Sequence, residues 1–119
     1  MTTDDRTLRI VVTGGRDFYD YAKVETALAK FGGRHVELAH GCARGADSLA
    51  ERFAATRGWG IRRFPADWHR WGKRAGVLRN QQMIDEFKPD IAVAFPGGRG
   101  TADMVRRLKA ANIVTVEVA

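Results

Sequence analysis

A chain of 119 residues, 45% hydrophobic and 29% charged, has the make-up of one folded domain rather than a disordered segment. Its single cysteine, Cys42, excludes an internal disulfide, and no leader pattern or run of about 20 apolar residues points to export or a membrane. The expectation is a soluble, cytoplasmic protein, and a net charge of +6 with a pI near 10.1 directs attention to anionic partners.

Met1 to Thr7 is polar and reads as a frayed lead-in to one domain over 8–119. Leu8 to Thr13 (LRIVVT) is a buried strand, stopped by Gly14-Gly15. Val24, Ala27, Leu28 and Phe31 recur at helical spacing, predicting a helix over Tyr21 to Phe31 that Gly32-Gly33 ends. A short strand follows at Val36 to Ala39. Gly45 to Arg57 then places Ala46, Leu49, Ala50, Phe53 and Ala54 on one helix face.

Trp59 to Phe64 is the third strand, and Pro65 to Trp71 reads as a loop because turn-forming residues cluster there. Arg74 to Phe87 is helical until Pro89 breaks it, with Met83, Ile84 and Phe87 inward. Ile91 to Phe95 (IAVAF) is a continuous apolar strand. The last helix runs from Ala102 to Ala111, and Ile113 to Val118 closes the chain as a strand.

Strand and helix thus alternate five strands deep, with strands apolar on both faces. This predicts an α/β three-layer sandwich, a parallel sheet between helices with strand order 3-2-1-4-5. In such sheets ligands sit beyond the carboxyl ends of the strands, where the order reverses, here between strands 1 and 4. Two glycine-rich turns follow those strands: Gly14-Gly15-Arg16 and Pro96-Gly97-Gly98-Arg99-Gly100-Thr101.

The second turn has three glycines, more than one turn requires, so its amides can point into one cavity and the helix behind it adds its positive dipole end. Thr101 is placed to cap that helix or to donate to a phosphate oxygen. Arg99 either closes over an anion or points outward. Neither turn has the G-x-x-x-x-G-K-[ST] or G-x-G-x-x-G spacing, which argues against a P-loop triphosphatase. Between strand 2 and its helix, Gly41 and Asp47 lie on a third turn on the same side. Asp47 either stabilises the helix dipole or accepts from ribose hydroxyls.

Asn80 shares a helix face with Gly76, Met83, Ile84 and Phe87, and Arg79 beside it is placed to reach the cleft. Trp68 and Trp71 either pack in their loop or stack on a base. Cys42 lacks a paired histidine and reads as a small buried filler. His35, His40 and His69 lack ligand spacing, so neither a metal nor a cofactor is expected.

The segments VTGGRDF (12–18), HGCARGADSLAE (40–51), PADW (65–68), AGVLRNQQM (75–83) and FPGGRGTADMV (95–105) resemble the short SLOG proteins, more narrowly the YspA-type group of bacteria and phages. Five segments recur in order over nearly the whole chain. The resemblance implies a Rossmann-like sheet, a homo-oligomer and a nucleotide or nucleotide-derived ligand. That ligand would lie on Gly14, Gly15, Arg16, Gly41, Asp47, Arg79, Asn80 and Pro96 to Thr101. The superfamily also holds the LOG phosphoribohydrolases, which carry P-G-G-x-G-T-x-x-E and an upstream helical arginine. Arg79 matches that arginine, but Met104 stands where the glutamate belongs, and a thioether moves no proton. Hydrolysis of an N-glycosidic bond would rest on Arg79 and Asp103. The DNA-processing protein of transformation, another relative, and the high pI suggest a nucleic-acid module; the lack of a concentrated basic run stands against it.

Overall fold

Five parallel strands form one sheet in the order β3-β2-β1-β4-β5 in a computed structural model that describes residues 7–119. The strands are β1 (Leu8–Thr13), β2 (Val36–His40), β3 (Gly60–Arg63), β4 (Ile91–Ala94) and β5 (Val114–Glu117). This is the order that the alternation of elements predicts. Of the N-terminal segment expected to fray, 1–6 lie outside the described residues.

The period of two along β1 divides the core. Ile10 and Val12 point to one face, where α1 (Tyr21–Leu28) and α2 (Ala46–Thr56) cover them with Val24, Leu28, Ala50 and Phe53. Val11 points to the other, with Ala39 and Ala92, under Met83, Phe87, Met104 and Leu108. Met83 and Phe87 come from the π-helical stretch Met83–Phe87 that continues α4 (Ala75–Gln82), Met104 and Leu108 from α5 (Arg99–Ala110). Central β1 pairs with both neighbours, Val11 against Ala39 of β2 and Val12 against Val93 of β4.

Several element ends shift by one to three residues, α1 giving way to a tighter 3-10 turn over Ala29–Phe31, and two differences bear on the site. The Pro65–Trp71 stretch, predicted as loop, contains a helical turn, α3 (Trp68–Trp71), because the Asp67 carboxylate accepts from the Arg70 amide at 3.0 Å. It leads through a tight turn over Gly72–Arg74 into α4. The last helix begins at Arg99, three residues earlier than predicted, with Gly98 as its N-cap. Thr101 therefore stands inside the first turn instead of capping it. Among the described residues no helix is long and apolar enough to cross a membrane.

Candidate functional site

The turns after β1, β2 and β4 meet around a cavity of about 470 Å³ at the carboxyl ends of the central strands. Its volume falls in the range of small-molecule sites. Thr13 to Arg16 form one wall, Gly41, Ala43 and Asp47 a second, and Gly98 to Thr101 a third; Trp68, Lys73, Arg79 and Asn80 close the fourth side. Pro96, Gly97 and Asp103, also read as site residues, do not line it. Pro96 and Gly97 border a neighbouring groove beside Val105 and Val118.

The glycines have two kinds of work. The Gly15 amide donates to the Pro96 carbonyl at 2.8 Å, which joins the two turns and removes that amide from ligand binding. A β-carbon on Gly14 would stand 2.5 Å from that of Ala46, and one on Gly97 would strike the Thr101 hydroxyl and the Gly15 nitrogen. Gly45 has φ +76°, and its β-carbon would fall on the carbonyl oxygens of Gly15 and Arg16. Gly98 and Gly100 differ: a β-carbon on either meets nothing within 4 Å. These two leave the mouth of the site bare.

Helix α5 presents its first turn to the cavity. Gly98 gives no side-chain cap, and the amides of Arg99, Gly100 and Thr101 precede the first intrahelical bond, from Ala102 to the Gly98 carbonyl. The Thr101 hydroxyl has no hydrogen-bond partner among the described residues. Amides, hydroxyl and dipole together suit an anion.

Arg79 projects from α4 into the same space. Its Nε donates to Asn80 Oδ1 at 3.1 Å, and its Nη1 donates to the carbonyls of Gly41 and, at 3.3 Å, Phe64. The guanidinium lies where a β-carbon of Gly41 would be, so Gly41 makes room for the arginine. Among the described residues Nη2 has no partner and no carboxylate forms an ion pair with Arg79. Burial holds its pKa below the ordinary arginine value, against the pull of Asp47. A half-buried cation whose hydrogen bonds go only to uncharged oxygens is an open place for an anion.

Asn80 connects Arg79 to the α5 turn. Its Nδ2 donates to the Gly100 carbonyl at 3.3 Å and to Asp103 Oδ2 at 3.0 Å. Asp103 also accepts from Arg106 at 2.6 Å and Arg107 at 2.8 Å. Although burial pushes its carboxyl upward, the hydrogen bonds from Arg107 and Asn80 hold it below the usual carboxylate value. The structure thus makes Asp103 an anchor for Asn80 and leaves it out of the cavity. Met104 is fully buried against the sheet.

Asp47 stands in the first turn of α2 and in the cavity wall, so both of its expected roles are geometrically open. Oδ2 accepts from the amides of Gly41 at 3.0 Å and Ala43 at 3.2 Å, leaving Oδ1 without a partner. Burial pushes this carboxyl above its ordinary value, opposed by those amides and Arg79.

Sequence reasoning missed Thr13 and Lys73. Thr13 ends β1, and the rule that strand ends carry ligand groups would have found it. It left Trp68 between two roles, and the structure puts its indole at the cavity, with the Arg16 guanidinium 5.5 Å from the ring and Gly76 beneath it. Trp71 does not reach the cavity. Cys42 is exposed rather than a buried filler: its φ of +63° turns the side chain out of the wall. Partial desolvation and the Asp47 carboxylate raise its thiol pKa, which disfavours the thiolate. Among the described residues no group of three or more His, Cys, Asp or Glu converges to hold a metal ion.

Behind the Cys42 turn lies an ionic clamp. The Cys42 amide donates to His40 Nδ1 at 3.0 Å, which puts the proton on Nε2, 2.6 Å from Glu51 Oε1. Arg63 grips both oxygens of Glu51 at 2.8 Å, and its hydrogen bonds with that of His40 lower the Glu51 pKa from 4.5 to about 2. A carboxyl depressed in the folded state stabilises above its unfolded value and loses that contribution as pH falls through its folded value. Glu51→Gln should therefore lower the melting temperature by several degrees at pH 7. The gap to the wild type should close between pH 4.5 and about 2; a gap that persists at pH 2 contradicts the clamp.

Fold and cavity together define a Rossmann-like α/β protein with its glycine turns gathered at the switch point of the sheet. The chain belongs to the YspA, cpYpsA-related SLOG family, whose model matches residues 8–71. The Gene 61 protein of Mycobacterium phage D29 is 38% identical over 122 residues, which cover 91% of this chain and 94% of that protein. Among solved structures, UDP-GlcNAc 2-epimerase from Neisseria meningitidis bound to UDP-GlcNAc superposes with a TM-score of 0.55 at 12% identity, covering 95% of this chain and 32% of that one. A second UDP-N-acetylglucosamine 2-epimerase gives 0.53 at 14% identity, over 95% of this chain and 33% of its own. The chain spans about a third of these enzymes, and the likeness is one of fold.

Proposed function

We propose that this chain is a sensor or binding module for a nucleotide or nucleotide-derived small molecule bearing phosphate. One observation carries the reading: the open amides of the α5 first turn and the unpaired Nη2 of Arg79 line a single cavity. Phosphate lies on the amides of Arg99, Gly100 and Thr101, with the Thr101 hydroxyl and Arg79 beside it. The Oδ1 atom of Asp47 accepts from a ribose hydroxyl, and the indole of Trp68 offers its face to a base. Membership of the SLOG family supports a nucleotide-related ligand.

Binding without cleavage fits these residues better than hydrolysis. At position 104, where the related hydrolases keep a carboxylate, a buried methionine packs against the sheet, and the nearby Asp103 is consumed by Asn80, Arg106 and Arg107. A thermal-shift screen of 5′-mononucleotides, cyclic nucleotides and dinucleotides tests the reading. A ligand at 100 times its Kd should stabilise the protein by about 2.7 kcal/mol, a rise of about 10 °C for a domain of this size. No shift with any nucleotide-like compound sinks it, and release of free base from a bound mononucleotide would restore the hydrolase.

A further inference from the structure

The net charge of +6 is concentrated in one part of the chain. From Arg62 to Arg79 six basic residues stand against a single acidic one, Asp67. They form no continuous run; Lys73 and Arg79 line the cavity, and Arg70 and Arg74 stand on either side of Lys73 in the chain, both exposed. Helix α3 and the turn after it expose every residue from Trp68 to Gly72, then Lys73 and Arg74. Among the described residues no carboxylate forms an ion pair with Arg70, Lys73 or Arg74, and Asp67 is occupied as the α3 cap.

Two indoles stand among these cations, Trp68 at 48% exposure and Trp71 at 42%. The Arg70 guanidinium lies 4.8 Å from the Trp71 ring, a pairing that orients the indole without burying it. Exposed indole faces with cations beside them that no carboxylate pairs match a partner that offers both flat apolar faces and negative charge.

We propose that the exposed α3 surface binds single-stranded nucleic acid, a base stacking on Trp71 while Arg70 and Arg74 contact the flanking phosphates. Unpaired bases meet the indole face on, whereas a duplex hides its base faces. An anionic membrane surface is a poorer match. α3 is four residues long and presents two rings, not the long apolar face of an interfacial helix. Trp68 and Lys73 of the same segment line the cavity, but Arg70, Trp71 and Arg74, which carry this proposal, do not, so they can be tested apart from the small-molecule reading.

Fluorescence anisotropy with a labelled oligothymidylate of about twelve nucleotides tests it. Binding should weaken steeply with salt, and Arg70→Gln with Arg74→Gln should reduce the log–log salt slope by about 1.4. Trp71→Ala should weaken binding about five- to a hundredfold. The double variant Lys30→Gln with Lys88→Gln removes two exposed charges at the amino-terminal edge of the sheet and should leave binding unchanged. Absence of binding at low salt, equal affinity for a duplex, or equal losses in the two double variants would each overturn the proposal. A nucleotide that shifts the melting of the wild type should shift the Arg70–Arg74 variant equally, which keeps the two sites distinguishable.

Discussion

Replacing Arg79 with alanine should weaken binding of a nucleotide phosphate about 10- to 150-fold, the range of one hydrogen bond to a charged group. The loss is expected because no carboxylate among the described residues forms an ion pair with the guanidinium. Its Nη1 and Nε donate to the carbonyls of Gly41 and Phe64 and to Asn80, and Nη2 has no partner among the described residues. Alanine removes the charge and also leaves the Gly41 carbonyl without its donor, so stability should fall by about 1 kcal/mol. Arg79→Lys separates the two effects. An ammonium restores the charge but cannot donate in three directions from one plane, so it should recover only part of the affinity. Calorimetric titration of wild type and both variants measures this; wild-type affinity in Arg79→Ala would remove phosphate from this end of the cavity.

Gly45→Ala should destabilise the fold by about 3 kcal/mol or more, measured as a lower urea midpoint at unchanged slope. The residue combines φ +76° with ψ −126°, backbone that alanine adopts only under strain. Its new β-carbon would also meet the carbonyls of Gly15 and Arg16. Those carbonyls cannot move freely: Gly15 accepts from the amides of Phe18 and Ala46, and its own amide is held by Pro96. Strain at residue 45 therefore spreads into both glycine-rich turns. Gly98→Ala is the matched contrast, with φ −102° and open space around its β-carbon, and should change stability by less than about 0.5 kcal/mol. Equal losses at the two positions would contradict the division of the glycines into those that close the turns and those that leave the site open.

The strand order and the end of the sheet at which the turns enclose a cavity were legible because they follow from local patterns. Apolar runs such as LRIVVT and IAVAF, separated by helical spacing, admit few parallel topologies, and the two glycine-rich turns flank the switch point. What stayed hidden depends on contacts between distant residues. Gly41 and Gly98 look alike in sequence, yet one makes room for the Arg79 side chain 38 positions later and the other meets nothing. Asp103 looked like a candidate acid until α4 supplied Asn80 to hold it. The α3 turn escaped notice because one cap, Asp67 on the Arg70 amide, outweighs a composition that favours a loop. Cys42 was misplaced for a similar reason: its side chain is turned out by a left-handed backbone whose amide is held by His40.

Amide chemical shifts report directly on the proposed place of phosphate at the start of α5. In a titration of uniformly ¹⁵N-labelled protein with a 5′-mononucleotide, the amides of Arg99, Gly100 and Thr101 should move downfield together and saturate with one dissociation constant. The same titration of Arg79→Ala should give the same three resonances at a weaker constant. Saturable shifts confined to other parts of the chain, with these three amides unmoved, would contradict the site.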